Sequence, residues 1–315
     1  MKTVFIDGQE GTTGLQILDR LKGRGDLELI EIPDERRKDI ETKTRFLNEA
    51  DLVILCLPDQ AAVESVGLIS NPATKVIDAS TAHRTRTDWV YGLPERDKKQ
   101  REAIKQALRV SNPGCYATGF ILLTYPLVHH DIMPVDYPVT VHGASGYSGG
   151  GKKLIRTYED SDRLTPAYFS YRPYALGLEH KHVPEMQQWT GLTRPPLFTP
   201  SVGNFHSGML VSVPLISKQL NGTVSAEKIH TMLADYYDAE PFVRVIPLES
   251  DTYLEDGFLS PTACNDTNRV DIFVFGHEDQ VLLIARLDNL GKGASGAAVQ
   301  NMNMMLNLNE GEGLS

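Results

Sequence analysis

The stretch from Val4 to Gly14, VFIDGQEGTTG, indicates the fold more strongly than any other part of the chain. Its apolar residues Val4 to Ile6 favour a short buried strand. Three glycines follow at regular spacing: Gly8, Gly11 and Gly14. From Leu15 to Leu21, leucines recur at helical spacing. A strand, a glycine-rich turn and a helix in this order are typical of the first unit of a doubly wound parallel sheet.

The same alternation continues over the first third of the chain. Further strands are predicted at 27–32, 52–57 and 76–77, and helices at 61–69 and 101–108. The charged residues from Asp34 to Lys43 are interpreted as a connection. Because continuously apolar strands are typical of a sheet buried on both faces, the pattern predicts an α/β, Rossmann-like doubly wound parallel sheet.

After about residue 130 the pattern changes to longer, partly alternating strands. They are predicted at 139–142, 209–213, 243–246, 270–275 and 281–287, with a helix at 226–236. This predicts an α+β domain with a mixed or antiparallel sheet. The segment 293–308 favours a helix that returns to the first domain. We therefore expect a nucleotide-binding domain at 1–115 and 293–315, and a substrate and oligomerisation domain at 116–292.

Composition narrows the class of protein. The net charge of −10 disfavours a general nucleic-acid binder, because phosphate backbones would be repelled. No apolar run approaches the ~20 residues needed to span a bilayer, which disfavours a membrane partner. Three widely spaced cysteines suit a reducing compartment better than a disulfide framework, so a cytoplasmic location is expected.

The glycine loop is a candidate phosphate-binding turn. Glycines permit a tight turn and the close approach of backbone N–H groups to a pyrophosphate at a helix N-terminus. The groups concerned belong to Gly8, Gly11, Thr12, Thr13 and Gly14. The spacing differs from the G-x-G-x-x-G dinucleotide fingerprint, and a plain strand–helix turn is the alternative.

Two features point to different cofactors. Glu31 lies roughly 20 residues beyond the loop, where an acidic residue bonds a ribose 2′-OH and favours NAD. Arg36, Arg37 and Lys38 follow and favour the 2′-phosphate of NADP instead, unless they form only a solvated charged loop. The residues alone leave this choice open.

Cys115 is the candidate nucleophile. It lies in the segment Ser111 to Tyr116, SNPGCY, where Pro113 and Gly114 predict a turn before an apolar helix. A helix N-terminus stabilises a thiolate, and its N–H groups are placed to hold an oxyanion. Cys56 lies in an apolar strand and Cys264 in a polar loop, so both are expected to be structural.

A thiol nucleophile needs a base, and the segment Glu179 to Glu185, EHKHVPE, offers His180 and His182. Alternation places both on one face of an extended segment, with carboxylates nearby to orient an imidazole. Zinc is the competing interpretation, but no third histidine or cysteine pair is close in sequence, so no metal is expected. Two histidines in a surface turn are the structural alternative.

Together these segments resemble the N-acetyl-γ-glutamyl-phosphate reductases in their shorter form. The resemblance covers nearly the whole chain, and its further carriers are Leu57 to Asp59, Tyr91 to Glu95, His142 to Gly151 and Leu287 to Asn303. The last of these, LDNLGKGASGAAVQNMN, is highly specific in combination with SNPGCY. The aspartate-semialdehyde dehydrogenases share the architecture but are less similar at these motifs.

The resemblance implies the roles of several residues. It makes Cys115 the acyl-accepting nucleophile and places the catalytic histidine in the H-x-H segment, where we favour His182 over His180. It implies NADP (NADPH) as the cofactor and homo-oligomers, dimers or tetramers. Implied cofactor contacts are the glycine loop together with Ser145, Gly146, Asn289, Gly291 and Lys292. Gln9 and Glu10 replace smaller residues of related reductases, which puts the details of the loop in doubt.

The implied reaction is the NADPH-dependent reduction of N-acetyl-L-glutamyl 5-phosphate to the 5-semialdehyde and phosphate, in arginine biosynthesis. Arg84, Ser111 and Asn112 are candidates for the substrate phosphate, although Arg84 is equally consistent with an ordinary surface arginine. Alternatives are an aspartate-semialdehyde dehydrogenase or a reductase of carrier-linked glutamyl or aminoadipyl phosphates. A cysteine hydrolase and a non-catalytic NADP-binding regulator are alternatives from other classes.

Overall fold

The structure is a computed structural model that describes residues 1–9, 11–36, 39–160, 170–248 and 251–315. The chain divides into two compact units. Unit 1 consists of Met1–Pro113 and Ala294–Ser315, and unit 2 of Gly114–Gly293. Each unit is built on its own sheet.

Unit 1 has a six-stranded sheet whose paired strands all run parallel. Its strands are β1 (Lys2–Asp7), β2 (Leu27–Ile30), β3 (Leu52–Leu55), β4 (Lys75–Asp78), β5 (Val90–Tyr91) and β6 (Arg109–Ser111). The order β2-β1-β3-β4-β6-β5 reverses direction between β1 and β3. In open parallel sheets, ligands bind at such a reversal, beyond the carboxyl ends of the strands. The predicted Rossmann-like architecture is confirmed.

In the part of unit 1 that the structure describes, four α-helices lie between these strands: α1 (Thr12–Leu21), α2 (Ile40–Glu49), α3 (Asp59–Gly67) and α4 (Lys98–Gln106). The interpretation of 34–43 as a connection was wrong at its end, because the Asp39 side chain caps α2 by accepting the Glu41 N–H. Helix α4 begins earlier than predicted, because Asp97 accepts the Gln100 N–H as its cap. Both caps lie beside polar sequences that hide the helical pattern.

Apolar residues fill both faces of this sheet, which explains its continuously apolar strands. On one face Ile54 and Ile77 pack with Met302, and on the other Val53 and Leu55 pack with Leu47.

Unit 2 contains a seven-stranded mixed sheet, as predicted. Its strands are β7 (Thr140–Gly146), β8 (Arg172–Pro173), β9 (Leu197–Gly203), β10 (Met209–Ile216), β11 (Val243–Val245), β12 (Val270–His277) and β13 (Gln280–Leu287). Their order is β11-β12-β13-β10-β7-β9-β8. The pairs β11–β12 and β7–β9 are parallel, and the remaining neighbours are antiparallel.

The described residues of unit 2 form four α-helices: α5 (Cys115–His129), α6 (Gly151–Glu159), α7 (Val183–Thr190) and α8 (Ala226–Tyr237). Helices α5 and α8 pack on one face of the sheet, where a β-carbon on Gly119 would contact Val211 and Ala285. The opposite face carries exposed apolar side chains, including Ile216 (47% exposed) and Leu197 (46% exposed).

A π-helical turn at Gly291–Ser295 precedes the last helix, α9 (Gly296–Met305). All ten residues of α9 are buried. Helix α9 packs on α1, α4 and β4 within unit 1. The C-terminal segment therefore completes the core of unit 1.

Candidate active site

Cys115 is the first residue of α5, and Gly114 is the N-cap residue. Pro113 and Gly114 form the predicted turn. Gly114 has no side chain to cap this helix, and the N–H groups of the first turn point towards the N-terminal end, where Cys115 lies. Those N–H groups and the helix dipole favour negative charge on the thiol or on a bound oxygen.

Gly293 lies directly against the nucleophile candidate. A β-carbon at residue 293 would come within 2.7 Å of the Cys115 Cβ and 3.1 Å of the Asp288 carbonyl oxygen. The Gly293 N–H donates to that same carbonyl over 3.0 Å. The position therefore requires glycine for steric reasons.

Glu185 joins the start of α5 to a histidine. Its Oε2 accepts the Gly114 N–H over 3.1 Å, and its Oε1 lies 3.9 Å from His182 Nε2. Glu185 is 1% and His182 5% exposed. The carboxylate thus holds an imidazole near the residue that precedes Cys115, and it would stabilise an imidazolium there.

The H-x-H segment is a turn, so the prediction of an extended segment was wrong. His182 has helical dihedral angles as the N-cap residue of α7, so the backbone bends between the two histidines. The His182 N–H donates to His180 Nδ1 over 3.1 Å. The two rings still meet edge to face, with centroids 4.7 Å apart.

Two tyrosines complete this cluster. The Tyr116 ring contacts both histidine rings, and its hydroxyl donates to the Ser201 carbonyl over 3.1 Å. The Tyr174 hydroxyl lies 3.5 Å from Tyr116 Oη and 3.5 Å from His180 Nε2. Burial raises the pKa of Tyr116 well above its usual value and that of Tyr174 to about 12. Both phenols therefore keep their protons at neutral pH.

The other two cysteines occupy different environments, and none of the three, all within the described residues, forms a disulfide. Burial and the nearby Asp7 raise the pKa of Cys56 to about 12. Cys264 is fully buried, its thiol donates to Asp271 Oδ2 over 3.3 Å, and burial raises its pKa. A raised pKa leaves little thiolate at either site, so neither is a good nucleophile.

The cofactor candidates of unit 2 lie in two neighbouring segments. Asn289 Oδ1 accepts the Gly208 N–H over 2.8 Å, and its Nδ2 donates to Ser148 Oγ over 3.0 Å. Ser145 and Gly146 end β7, and a β-carbon on Gly149 would lie 3.4 Å from both Asn289 Nδ2 and Ser145 Oγ. The structure thus brings Ser145, Gly146 and Asn289 together.

Gly291 and Lys292 are more enclosed. A β-carbon at Gly291 would come within 2.3 Å of the Thr267 carbonyl oxygen. Lys292 is fully buried, with Nζ 5.9 Å from the centre of the Phe242 ring. Their roles as cofactor contacts stay predictions.

The glycine loop of unit 1 is closely packed backbone at the carboxyl end of β1. Gly8 has φ +87°, and a β-carbon there would come within 2.5 Å of the Cys56 carbonyl oxygen. A β-carbon on Gly14 would come within 2.6 Å of the Gly8 carbonyl oxygen. Gly11 is the N-cap residue of α1, which has no side-chain cap bond, so the N–H groups of Thr12 and Thr13 open towards the loop.

The residues that bear on the choice of cofactor follow β2, the strand beside β1. Glu31 and Arg36 are both exposed there, and Arg36 ends a short 3₁₀ turn. Arg37 and Lys38 lie outside the described residues. A pyrophosphate at the α1 N-terminus would place its adenosine half on this side of the sheet.

The three substrate candidates of unit 1 are buried. Arg84 donates from Nε to the Asn112 carbonyl over 3.0 Å and from Nη2 to the Ala79 carbonyl over 3.1 Å. Asn112 bonds the Ala294 carbonyl through its amide, and Ser111 Oγ lies 3.5 Å from the Val90 carbonyl oxygen. These bonds hold the backbone that leads to Pro113, and contact with the substrate stays a prediction.

Sequence reasoning missed the specific part played by Glu185 and the presence of Tyr174. The contact between Glu185 and His182 could have been predicted, because residues three apart lie on the same face of a helix. Gly191, which ends the short helix α7, marks this segment as helical. Tyr174 lies six residues before His180 and has no local pattern to single it out.

Among the described residues, no group of three or more His, Cys, Asp or Glu side chains is placed to hold a metal ion. Within the same part of the chain, no helix has the length and apolar character needed to cross a membrane.

Comparison with solved structures shows the fold. The chain is similar to aspartate semialdehyde dehydrogenase II from Vibrio cholerae, with a TM-score of 0.71 over 98% of both chains and 14% identity. It is also similar to aspartate semialdehyde dehydrogenase from Francisella tularensis, with a TM-score of 0.70, 15% identity, and coverage of 96% and 99% of the two chains.

Comparison of sequences shows the family. The semialdehyde dehydrogenase NAD-binding domain matches residues 3–107, and the dimerisation domain of that family matches residues 115–289. N-acetyl-γ-glutamyl-phosphate reductase 2 of Nostoc sp. is 50% identical over 317 residues, which cover 99% of this chain and 98% of the relative. N-acetyl-γ-glutamyl-phosphate reductase of Chelativorans sp. is 50% identical over 307 residues, 96% and 97% of the two chains. The chain therefore belongs to the N-acetyl-γ-glutamyl-phosphate reductases, within the semialdehyde dehydrogenase family.

Proposed function

We propose that this oxidoreductase reduces N-acetyl-L-glutamyl 5-phosphate to N-acetyl-L-glutamate 5-semialdehyde and phosphate with NADPH, as a step of arginine biosynthesis. The observation that carries the proposal is the position of Cys115 as the first residue of α5, beside the Glu185–His182 pair. Half of the residues are shared with relatives that bear this reductase name, which supports the substrate.

The first step forms a thioester on Cys115. The thiolate attacks the γ-acyl carbon, a C–S bond forms, and the C–O bond to phosphate breaks as phosphate leaves. Negative charge develops on the carbonyl oxygen, and the N–H groups of the first turn of α5 are placed to stabilise it.

The second step releases the aldehyde. When bound, NADPH supplies the hydride that reduces the thioester carbon. His182, held by Glu185, protonates the oxygen of the resulting thiohemiacetal. His182 then takes this proton back as the C–S bond breaks. The aldehyde is released, and Cys115 is regenerated as a thiolate.

The residues of the glycine loop fit a dinucleotide. Side chains do not fit at two of its glycines, because Gly8 lies against the Cys56 carbonyl and Gly14 against the Gly8 carbonyl. The loop ends at the N-terminus of α1, whose N-cap residue makes no side-chain cap bond. Gly8, Gly11, Thr12, Thr13 and Gly14 would hold the pyrophosphate through N–H groups. The nicotinamide cofactor follows from the family. For NADP the support is the sequence that follows β2, where Arg36 and Arg37 supply positive charge. Ser145, Gly146, Asn289, Gly291 and Lys292 are the proposed contacts from unit 2.

For the substrate phosphate we propose the segment of Arg84, Ser111 and Asn112. Support comes from the buried Arg84 guanidinium, which donates to the Asn112 carbonyl next to Pro113. By function, we propose a nucleotide-binding domain at 1–115 and 293–315 and a substrate and oligomerisation domain at 116–292.

We further propose that two copies of the chain associate through the outer face of the unit 2 sheet. A cavity of about 560 Å³ opens on this face and is lined mainly by apolar side chains, among them Pro214, Ile216, Phe275 and Leu282. An exposed group of neighbouring apolar side chains is typical of an interface. A match to a dimerisation domain over 115–289 supports a second copy as the occupant.

Because a catalytic thiol must stay reduced, the cytoplasm is the proposed location.

The proposal is tested by trapping the thioester. The protein is incubated with N-acetylglutamyl phosphate in the absence of NADPH, and its intact mass is measured before and after treatment with hydroxylamine. We expect one acyl group on Cys115 that hydroxylamine removes, and none on the Cys115→Ser variant. Cys264→Ser serves as the matched control and should acylate like the parent. Reduction of the acyl phosphate by Cys115→Ser at near-parental rate would refute the covalent route.

A further inference from the structure

Two neighbours of His180 indicate which nitrogen of its neutral ring carries the proton. A backbone N–H can only donate, so the bond from the His182 N–H places a lone pair on His180 Nδ1. The proton of the neutral ring is therefore on Nε2. That nitrogen lies 3.5 Å from Tyr174 Oη, and it donates to this oxygen.

The hydroxyls of Tyr174 and Tyr116 extend this chain of hydrogen bonds, each donating to the next acceptor. The Tyr174 O–H donates to Tyr116 Oη over 3.5 Å, and the Tyr116 O–H donates to the Ser201 carbonyl over 3.1 Å. This carbonyl can only accept. The chain thus begins at an obligate donor and ends at an obligate acceptor, and this direction satisfies each group between them.

Packing also fixes the ring of His180. It contacts the rings of Tyr116, Tyr174 and Phe198 at centroid distances of 5.9, 5.7 and 5.1 Å, and that of His182 at 4.7 Å. A general base must offer a lone pair to the reacting group and accept its proton. His180 Nδ1 is committed to the backbone, and Nε2 already carries a proton.

We infer that His180 is a neutral positioning residue, that Tyr174 holds it through this chain, and that His182 alone transfers the proton. His182 faces Glu185, His180 and Tyr116, and Glu185 is the charged neighbour that stabilises its protonated form. The inference rests on the proposed function for its catalytic consequence. The arrangement of protons stands independently of the substrate.

The arrangement is tested first without substrate. Protein labelled with ¹⁵N in its histidine rings is measured by long-range ¹H–¹⁵N correlation at neutral pH, with the His180→Asn variant used to assign the signal. We expect the proton of His180 on Nε2. In Tyr174→Phe, which removes only the acceptor hydroxyl, the ¹⁵N shift of Nε2 should change, whereas Tyr171→Phe should leave it unchanged. A proton on Nδ1, or a doubly protonated ring, would overturn the inference whether or not the proposed function holds.

Kinetics test the division of roles. His182→Asn should lower kcat by about 10²- to 10⁴-fold and remove one limb of the pH–kcat profile, as expected for a lost acid–base group. His180→Asn and Tyr174→Phe should lower kcat only about five- to tenfold, with the shape of the profile retained, because both weaken the positioning of His182 and neither removes the group that transfers the proton. Tyr171 is 59% exposed, and Tyr171→Phe is the matched control with parental kcat. The inference fails if His180→Asn abolishes the limb and His182→Asn keeps it.

Discussion

The Glu185 carboxylate contacts both the residue before Cys115 and the proposed acid–base group His182. Glu185 is almost fully buried and divides its two oxygens between the Gly114 N–H and the His182 ring. A buried carboxylate is costly unless it is paired. Here the Gly114 N–H donates a hydrogen bond to it, and the imidazole lies at ion-pair distance, 3.9 Å away. Its charge is therefore tied to two groups that the proposed reaction needs in place.

Replacing Glu185 by Gln removes the negative charge of the side chain but keeps its size. The amide oxygen can still accept the Gly114 N–H, but the negative charge beside His182 is lost. We expect kcat to fall at least about tenfold, because the imidazolium loses its partner, with little change in the KM for NADPH. Glu179→Gln alters an exposed carboxylate of the same segment and should match the parent in steady-state kinetics. Equal losses in both variants would contradict the role of Glu185.

At the scale of secondary-structure elements, the glycine loop and α1 form one unit of close backbone contact. Gly14 lies inside the first turn of α1, where a β-carbon would come within 2.6 Å of the Gly8 carbonyl oxygen. A methyl group there must displace the loop.

Gly14→Ala should therefore weaken NADPH binding by about tenfold or more, equivalent to ~1.4 kcal/mol. Fluorescence titration with NADPH measures the effect. Gly67→Ala is the matched control, because residue 67 ends α3 and has no heavy atom within 4 Å of the added carbon. Unchanged NADPH affinity in Gly14→Ala would rule out this loop as the pyrophosphate site.

Strands β11, β12 and β13 are joined by a buried charge. Asp271 is fully buried and bonds Arg244, Arg269 and Arg286, the last of which is 3% exposed. Burial raises the pKa of Asp271, but the hydrogen bonds from Arg286 and Arg244 outweigh it and hold the pKa below 3.8. The resulting stabilisation is complete above the unfolded-state pKa and is lost as pH falls through the lower folded-state value.

Asp271→Asn should lower the free energy of unfolding at neutral pH by about 3–5 kcal/mol, because it leaves Arg286 buried without its counter-charge. Urea unfolding followed by circular dichroism measures the change. The exposed pair of Asp279 with Lys218 provides the control, and Asp279→Asn should leave the urea midpoint unchanged. A parental midpoint for Asp271→Asn would show that the three arginines need no carboxylate.

For the whole molecule, the proposed association of two copies can be tested on the outer sheet face. Ile216 is 47% exposed and borders the apolar cavity. Ile216→Asp should shift the mass measured by light scattering from an oligomer to a monomer, because a charge would be buried at the contact. Val63→Asp, on the exposed side of α3 in unit 1, should leave the mass unchanged. An oligomer that survives Ile216→Asp would place the interface elsewhere.

Much of the architecture could be predicted because local patterns determine it. The glycine loop and the apolar strands of unit 1 predicted a parallel sheet, and SNPGCY predicted a cysteine at a helix start. Helix α2 was missed because its start depends on one Asp39 cap within a charged segment. The turn at His182 and the approach of Tyr174 could not be predicted, because they depend on tertiary contacts between distant segments.

The reverse reaction tests the proposed activity most directly. NADPH formation is followed by absorbance with N-acetylglutamate semialdehyde, with and without phosphate, and with aspartate semialdehyde as the comparison substrate. We predict phosphate-dependent NADPH formation that is specific to the acetylated substrate and absent in Cys115→Ser. Activity with aspartate semialdehyde alone, or none with either aldehyde in folded protein that binds NADPH, would contradict the proposed substrate.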